Sequence, residues 1–166
     1  MTVHLLAGLP GAGKTTFALE LEAQGVTRLS VDERVFARHG IIGVDYRPVE
    51  HFALAEPIVA EIRDEVASLV RAGRSAVLDH ALDLRAERDS WKDLVVANGA
   101  EWRLWYFRAD RDLLLRRLAV RGAAGQGEVT PAMLDWMIAR WEEPSGEDEV
   151  VRPQSLPGAA RRATHL

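Results

Sequence analysis

Residues 8–15 read GLPGAGKT, and this stretch decides the fold of the 166-residue chain. Its first and sixth positions are glycine, and lysine and threonine follow, which completes the pattern G-x-x-x-x-G-K-S/T. The residues before it, TVHLLA at 2–7, form a short apolar segment that predicts a buried strand. After it, apolar side chains recur at helical spacing from Lys14 until Gly25, which predicts a helix. A strand, a glycine-rich loop and a helix therefore follow one another at the start of the chain.

The loop has the chemistry of a phosphate cradle. Glycines let the backbone approach an anion closely, so that successive N–H groups and the helix N-terminus face it. Lys14 supplies a cation for the β- and γ-phosphates of a nucleoside triphosphate, and Thr15 supplies a hydroxyl ligand for Mg²⁺. The alternatives are an ordinary glycine turn and a dinucleotide fingerprint, which fails because Thr16 stands where it needs glycine. The predicted nucleotide-binding residues are Gly8, Pro10, Gly11, Ala12, Gly13, Lys14, Thr15 and Thr16.

Strands and helices alternate along the rest of the chain. Further strands are predicted at 27–31, 75–78, 102–107 and 149–152, with helices between them. This alternation predicts a parallel sheet covered by helices on both faces. Gly8, Asp32 and Asp79 each lie at the end of a strand, so they converge at the edge of the sheet where such folds bind ligands.

Composition limits the functional classes. The length and the 48% hydrophobic content predict one globular domain at 1–152, followed by a flexible tail at 153–166. No apolar run approaches the roughly 20 residues of a membrane span, and the net charge of −4 lacks the basic field of a general nucleic-acid binder. Without cysteine there are no disulfides or thiolate sites. No leader segment is recognised, so a cytoplasmic location is expected.

Several short stretches in order resemble the small P-loop kinases related to chloramphenicol phosphotransferase, zeta toxins and polynucleotide kinase, a group that includes AAA-type ATP-binding proteins of actinobacteria. Besides the loop, these stretches are LSVDER at 29–34, AVLD at 76–79 with Arg88 nine residues later, RLAVR at 117–121 and WEEP at 141–144. The resemblance implies an α/β three-layer sandwich with a five-stranded parallel sheet in the order 2-3-1-4-5, and a small helical lid at about 117–131. It also implies ATP and Mg²⁺ as cofactors.

The resemblance also implies roles for two carboxylates. Asp32 corresponds to the acceptor-side carboxylate, which takes or orients the proton of the attacking hydroxyl. Its alternative role is an N-cap for the following helix. Asp79 corresponds to the carboxylate that orders Mg²⁺ together with Thr15, and its alternative roles are a helix cap or a salt bridge.

Basic residues complete the predicted catalytic set. Lys14 is joined by Arg117 and Arg121, which share one helix face and lead into the glycine-rich segment 122–127. In the family, lid arginines of this kind contact the transferring phosphoryl group; the alternative is a solvated basic face. Arg88 is expected to anchor its helix through an ion pair, and Lys92 to lie on a helix surface.

The predicted reaction is transfer of the γ-phosphate of ATP to a hydroxyl of a small molecule. The acceptor segment 32–51 mixes charges of both signs with Ile41, Ile42, Val44 and Tyr46, which suits a compact organic acceptor better than a phosphate backbone. Within this segment, Arg34 lies one residue before the place where many relatives have arginine. A polynucleotide 5′-kinase and a nucleotide-dependent binding module remain alternatives. The oligomeric state is left open.

Overall fold

The computed structural model describes residues 1–125 and 129–154. Its strands are β1 (Thr2–Ala7), β2 (Thr27–Ser30), β3 (Ala76–Asp79), β4 (Glu101–Arg108) and β5 (Val150–Pro153). Its helices are α1 (Lys14–Ala23), α2 (Val31–His39), α3 (His51–Arg71), α4 (Arg85–Ala97), α5 (Arg111–Ala123) and α6 (Pro131–Arg140), with a short 3₁₀ turn at Pro48–Glu50. The strands form one sheet in the order β2-β3-β1-β4-β5, and every neighbouring pair is parallel. The predicted fold class and strand order are confirmed.

The central strand β1 separates two apolar cores. Successive side chains of a strand point to opposite faces, so Leu5 packs in one core with Trp91, while Leu6 packs in the other with Phe17 and Leu114. All of these side chains are buried. Burial on both faces is the reason why the strand reads as a short apolar segment rather than as a strict alternation.

The parallel register brings the predicted site residues to one edge of the sheet. Ala7 ends β1 directly before the glycine-rich loop, and Ser30 at the end of β2 pairs with Asp79 at the end of β3. The loop therefore lies beside the ends of both strands, as in other open parallel sheets that bind ligands at this edge.

Some predicted boundaries differ from the structure. The helix α3 begins at His51, so Pro57 lies inside the helix and not near its start. The predicted lid at 117–131 includes residues 126–128, and the predicted tail at 153–166 includes 155–166; both of these segments lie outside the described residues. Pro153 itself ends β5, and the backbone N–H of Gln154 donates to the carbonyl of Arg108 at 2.8 Å. Within the described ranges, no helix combines the length and hydropathy needed to cross a bilayer.

A buried charge cluster joins α4 to the chain after α6. The Arg88 guanidinium donates to the Glu147 carboxylate at 2.7 Å, and Lys92 Nζ lies 3.0 Å from the same carboxylate. The ion pair predicted for Arg88 is thus present, whereas the surface position predicted for Lys92 is wrong, because its side chain is only 11% exposed. Burial alone would raise the pKa of Glu147, but hydrogen bonds from Arg88 and Lys92 outweigh it and lower the pKa to about 2.

Candidate active site

The glycine-rich loop has backbone geometry that only glycine adopts easily. Gly11 and Gly13 have φ values of 83° and 100°, in the left-handed region, and Gly13 is the N-cap of α1. At Gly8 there is little room for a side chain, because a Cβ atom there would lie 3.0 Å from the carbonyl oxygen of Phe107 and 3.1 Å from the Cβ of Phe107. The loop thus wraps tightly over the ends of β1 and β4 and leads into the N-terminus of α1.

Lys14 is folded back onto the loop that contains it. Its Nζ donates to the carbonyl oxygens of Gly8 at 2.5 Å and Leu9 at 3.0 Å. Burial lowers the pKa of Lys14, while the nearby carboxylates of Asp32, Asp83 and Asp79 act in the opposite direction. The charge of the ammonium group is therefore opposed by burial and favoured by these three carboxylates.

Thr15 and Asp79 meet as the sequence predicts. The Thr15 hydroxyl donates to a carboxylate oxygen of Asp79 at 3.1 Å. The other oxygen of Asp79 accepts from the Arg28 guanidinium at 2.6 Å, so the alternative role of Asp79 in a salt bridge is also present. A hydroxyl and a carboxylate side by side fit Mg²⁺, which is commonly held by one or two protein oxygens together with phosphate oxygens and water.

Asp32 stands at the first turn of α2 with its side chain 78% exposed. Its alternative role as an N-cap is wrong, because Ser30 caps α2 by accepting a hydrogen bond from the backbone N–H of Glu33 at 3.3 Å. His51 Nε2 lies 4.0 Å from the Asp32 carboxylate, and the Tyr46 hydroxyl lies 2.8 Å from His51 Nδ1. The Asp32 carboxylate is therefore accessible to a small molecule and lies next to an ordered histidine.

The predicted arginines approach the loop from α5. Arg117 donates to the carbonyl oxygen of Gly11 at 3.1 Å, and the charge of Arg121 is close enough to lower the pKa of Lys14. Arg117 therefore contacts the loop directly, and Arg121 follows one turn later on α5.

Three polar residues near the predicted site have structural partners. Arg34 pairs with Glu65 at 2.6 Å, and His80 lies 3.1 Å from Glu87. Glu33 accepts from Arg28 at 2.7 Å. These contacts join α2 to α3 and to β2, and the chain after β3 to α4.

Sequence reasoning missed three residues at this edge of the sheet. Arg28 holds Asp79, and an arginine in a short strand gives no signal of that role. Burial raises the pKa of Asp83, while the charges of Lys14 and Arg140 oppose that effect. The Arg140 guanidinium in turn lies 4.7 Å from the Phe52 ring centroid, which links α6 to α3.

A glycine-rich loop that bears Lys14 and Thr15, between β1 and α1 of this parallel sheet, defines a P-loop nucleoside-triphosphate-binding fold. The chain belongs to a family described as an AAA domain, whose family model matches residues 3–144. A comparison with curated protein sequences finds no match. The narrower resemblance to chloramphenicol phosphotransferase, zeta toxins and polynucleotide kinase stays a prediction.

Solved structures with a similar fold include several that are described as kinases. A provisionally assigned kinase from Chloroflexus aurantiacus is 18% identical, with 92% of this chain and 84% of that chain covered and a TM-score of 0.73. A gluconokinase from Sinorhizobium meliloti is 17% identical, with 94% and 84% covered and a TM-score of 0.66. A sugar kinase from Janibacter is 14% identical, with 92% and 84% covered and a TM-score of 0.56. At these identities the similarity supports the fold alone.

Proposed function

We propose that this chain is an ATP- and Mg²⁺-dependent kinase that transfers the γ-phosphoryl group of ATP to a hydroxyl of a small molecule. One observation carries the proposal: the Thr15 hydroxyl and the Asp79 carboxylate are 3.1 Å apart beside Lys14, and an exposed carboxylate, Asp32, stands close to the same lysine. The fold neighbours described as gluconokinase and sugar kinase agree with this class of reaction.

The loop and Lys14 bind the triphosphate in this proposal. The backbone N–H groups from Gly11 to Thr15 face the phosphates, and Lys14 exchanges its two carbonyl contacts for phosphate oxygens. Thr15 and Asp79 would hold Mg²⁺, which would neutralise part of the charge of the triphosphate when bound. The salt bridge from Arg28 fixes the orientation of the Asp79 carboxylate.

Asp32 serves the acceptor. Its carboxylate takes the proton of the acceptor hydroxyl while the acceptor oxygen bonds to the γ-phosphorus. The bond from that phosphorus to the β–γ bridging oxygen breaks, and ADP leaves with the electron pair. Arg117 and Arg121 spread positive charge over the equatorial oxygens of the phosphoryl group, which suits the planar guanidinium.

Neither alternative function is as well supported. A polynucleotide acceptor recruits basic residues along its phosphate backbone, whereas Arg34 and Arg38 on α2 are paired with Glu65 and Glu61 on α3. A binding module that uses hydrolysis only incidentally has no need for an exposed carboxylate at Asp32.

Incubation with γ-labelled ATP, Mg²⁺ and a panel of hydroxylated metabolites tests the proposal. Labelled product is expected with wild-type protein and is lost in Lys14→Ala. An oligonucleotide with a free 5′-hydroxyl belongs in the same panel, and its exclusive labelling would favour the polynucleotide alternative. If the protein binds ATP but labels no acceptor, and Asp32→Asn does not change the ATP binding, the binding module is favoured.

A further inference from the structure

A largely apolar, open cavity lies between the loop that follows α2 and the C-terminal end of α5, where its lining residue Gly122 directly follows Arg121. Its volume is about 380 Å³, within the usual range for small-molecule sites. Ile41, Ile42, Val44 and Pro48 line one side, and Thr130 and Met133 at the start of α6 line the other. The Thr130 hydroxyl is already used as the N-cap of α6, where it accepts from the backbone N–H of Met133 at 3.2 Å. No charged side chain is among the described residues that line the cavity.

The arginines of the surrounding segment are already neutralised. Every arginine between Asp32 and His51 pairs with a glutamate: Arg34 with Glu65 at 2.6 Å, Arg38 with Glu61 at 2.5 Å, and Arg47 with Glu50 at 3.1 Å. A carboxylate or phosphate on the acceptor would have to displace one of these glutamates before it gained a cationic partner. The electrostatics of this segment therefore favour an uncharged acceptor.

The same segment exposes large apolar side chains to water. Phe36, Ile41, Val44 and Val49 are each more than a third exposed, and Val44 reaches 77%. Of these, Ile41 and Val44 line the cavity, and exposed apolar side chains at the wall of a concave site are typical of a surface that a ligand covers. An acceptor with an apolar body would remove part of this area from water, which a polyol would do poorly.

The loop that lines the cavity is connected to Asp32 through Tyr46 and His51. Tyr46 belongs to the same loop as Ile41 and Val44, and its hydroxyl bonds His51 Nδ1 at 2.8 Å. That contact directs His51 Nε2 toward the Asp32 carboxylate at 4.0 Å. Since Ile42 at the cavity wall pairs with Tyr46 in an isolated β-bridge, Tyr46 and His51 connect the wall of the cavity to the Asp32 carboxylate.

We infer that the acceptor is an uncharged molecule with a compact apolar body and at least one hydroxyl, whose apolar part occupies this cavity. The inference rests on the proposed phosphotransferase function and specifies its substrate class. It sets this chain apart from the gluconokinase with which it shares a fold, since gluconate is a charged polyol.

Binding and transfer are measured with defined probes. Uncharged apolar alcohols, 2-phenylethanol and cyclohexylmethanol, are compared with D-gluconate and D-glucose, first by saturation-transfer NMR and then with γ-labelled ATP and Mg²⁺. The test variant is Val44→Asp, which places a charge at the cavity wall without disturbing the core. The matched control is Val96→Asp, because Val96 on α4 is also exposed, at 61%, and lies outside the cavity lining.

The apolar alcohols are expected to bind and to accept phosphate, with affinity about tenfold lower in Val44→Asp and unchanged in Val96→Asp. Preferential binding of gluconate or glucose overturns the inference, and so does the absence of alcohol binding or equal binding by both variants. Phosphorylation of gluconate would overturn it while leaving the proposed kinase function in place. Conversely, alcohol binding that depends on Val44 without any transfer would overturn the kinase function. A dimer that Val44→Asp dissociates would assign the apolar surface to a second copy and also overturn the inference.

Discussion

Replacement of Glu147 by glutamine tests the energetic role of the buried charge cluster. The Glu147 side chain is 1% exposed and the Arg88 side chain is fully buried. Water therefore contributes little to stabilising these two charges, and each is stabilised mainly by the other. Arg88 also donates to the carbonyl oxygen of Leu82 at 2.9 Å, in the loop that follows β3 and leads to Asp83. Loss of the carboxylate in Glu147→Gln leaves the buried Arg88 charge without its carboxylate partner, while Lys92 keeps only Asp89, at 3.3 Å.

Two estimates of the magnitude agree. Removal of one partner from a buried ion pair costs about 3 to 5 kcal/mol. Independently, a pKa of about 2 for Glu147, against an ordinary value of 4.5, corresponds to about 3 kcal/mol of stability at neutral pH. We therefore expect Glu147→Gln to lower the free energy of unfolding by about 3 kcal/mol at pH 7.

The same cluster predicts a pH dependence with a definite sign. Because folding lowers the pKa of Glu147, its contribution is fully present above pH 4.5 and is lost as the pH falls toward 2. At pH 3 less than half of the contribution remains. The difference in stability between wild-type protein and Glu147→Gln should therefore shrink by about 2 kcal/mol between pH 7 and pH 3.

Urea unfolding followed by circular dichroism at pH 7, 5, 4 and 3 measures this difference. Glu56→Gln is the matched control, because Glu56 is an exposed glutamate on α3 and its loss should change stability by less than about 0.5 kcal/mol. The reasoning is refuted if Glu147→Gln is as stable as that control at pH 7. It is equally refuted if the difference from wild type stays constant down to pH 3.

Three further predictions concern the site. Asp32→Asn should lower kcat by about 10² to 10⁴, while its ATP affinity, measured by calorimetry, stays unchanged. The control Glu33→Gln should keep a kcat close to that of the wild-type protein. An equal loss of kcat in both variants would contradict proton transfer by Asp32. Thr15→Val should raise the Mg²⁺ concentration needed for half-maximal transfer, and an unchanged requirement would remove Thr15 from the metal site. Arg117→Met should lower kcat in a transfer assay by about 10³ or more. The matched control is Arg116→Met, because Arg116 is exposed and its loss should leave kcat unchanged. Similar rates for the two variants would indicate that this helix face is only a solvated basic surface.

The parts of the fold that could be predicted are those with local signals. The pattern GLPGAGKT predicts a loop between a strand and a helix, because its glycines let the backbone approach an anion closely and its lysine supplies a cation for the phosphates. The alternation of strands and helices then predicts a parallel sheet, and the sheet brings Thr15 and Asp79 together although 64 positions separate them.

The parts that could not be predicted depend on distant partners. The sequence predicts that Lys92 lies on a helix surface. It is buried instead, because Glu147, 55 residues later in the chain, packs against it and accepts a hydrogen bond from its ammonium group. Arg28 similarly meets Asp79 only because β2 and β3 are neighbours in the sheet. Charged side chains give no periodic signal of such pairs, so tertiary structure decides whether an arginine or lysine is solvated or buried.

The contacts of Lys14 change what a nucleotide affinity measures in this chain. Its ammonium group already has two carbonyl acceptors, Gly8 and Leu9, within the loop. Phosphate binding is therefore an exchange of one set of acceptors for another, and the observed affinity reports only the difference between them. An alanine at this position would remove both sets at once and release the two carbonyls from the ammonium group. The affinity lost in that variant is consequently not the strength of a lysine–phosphate bond.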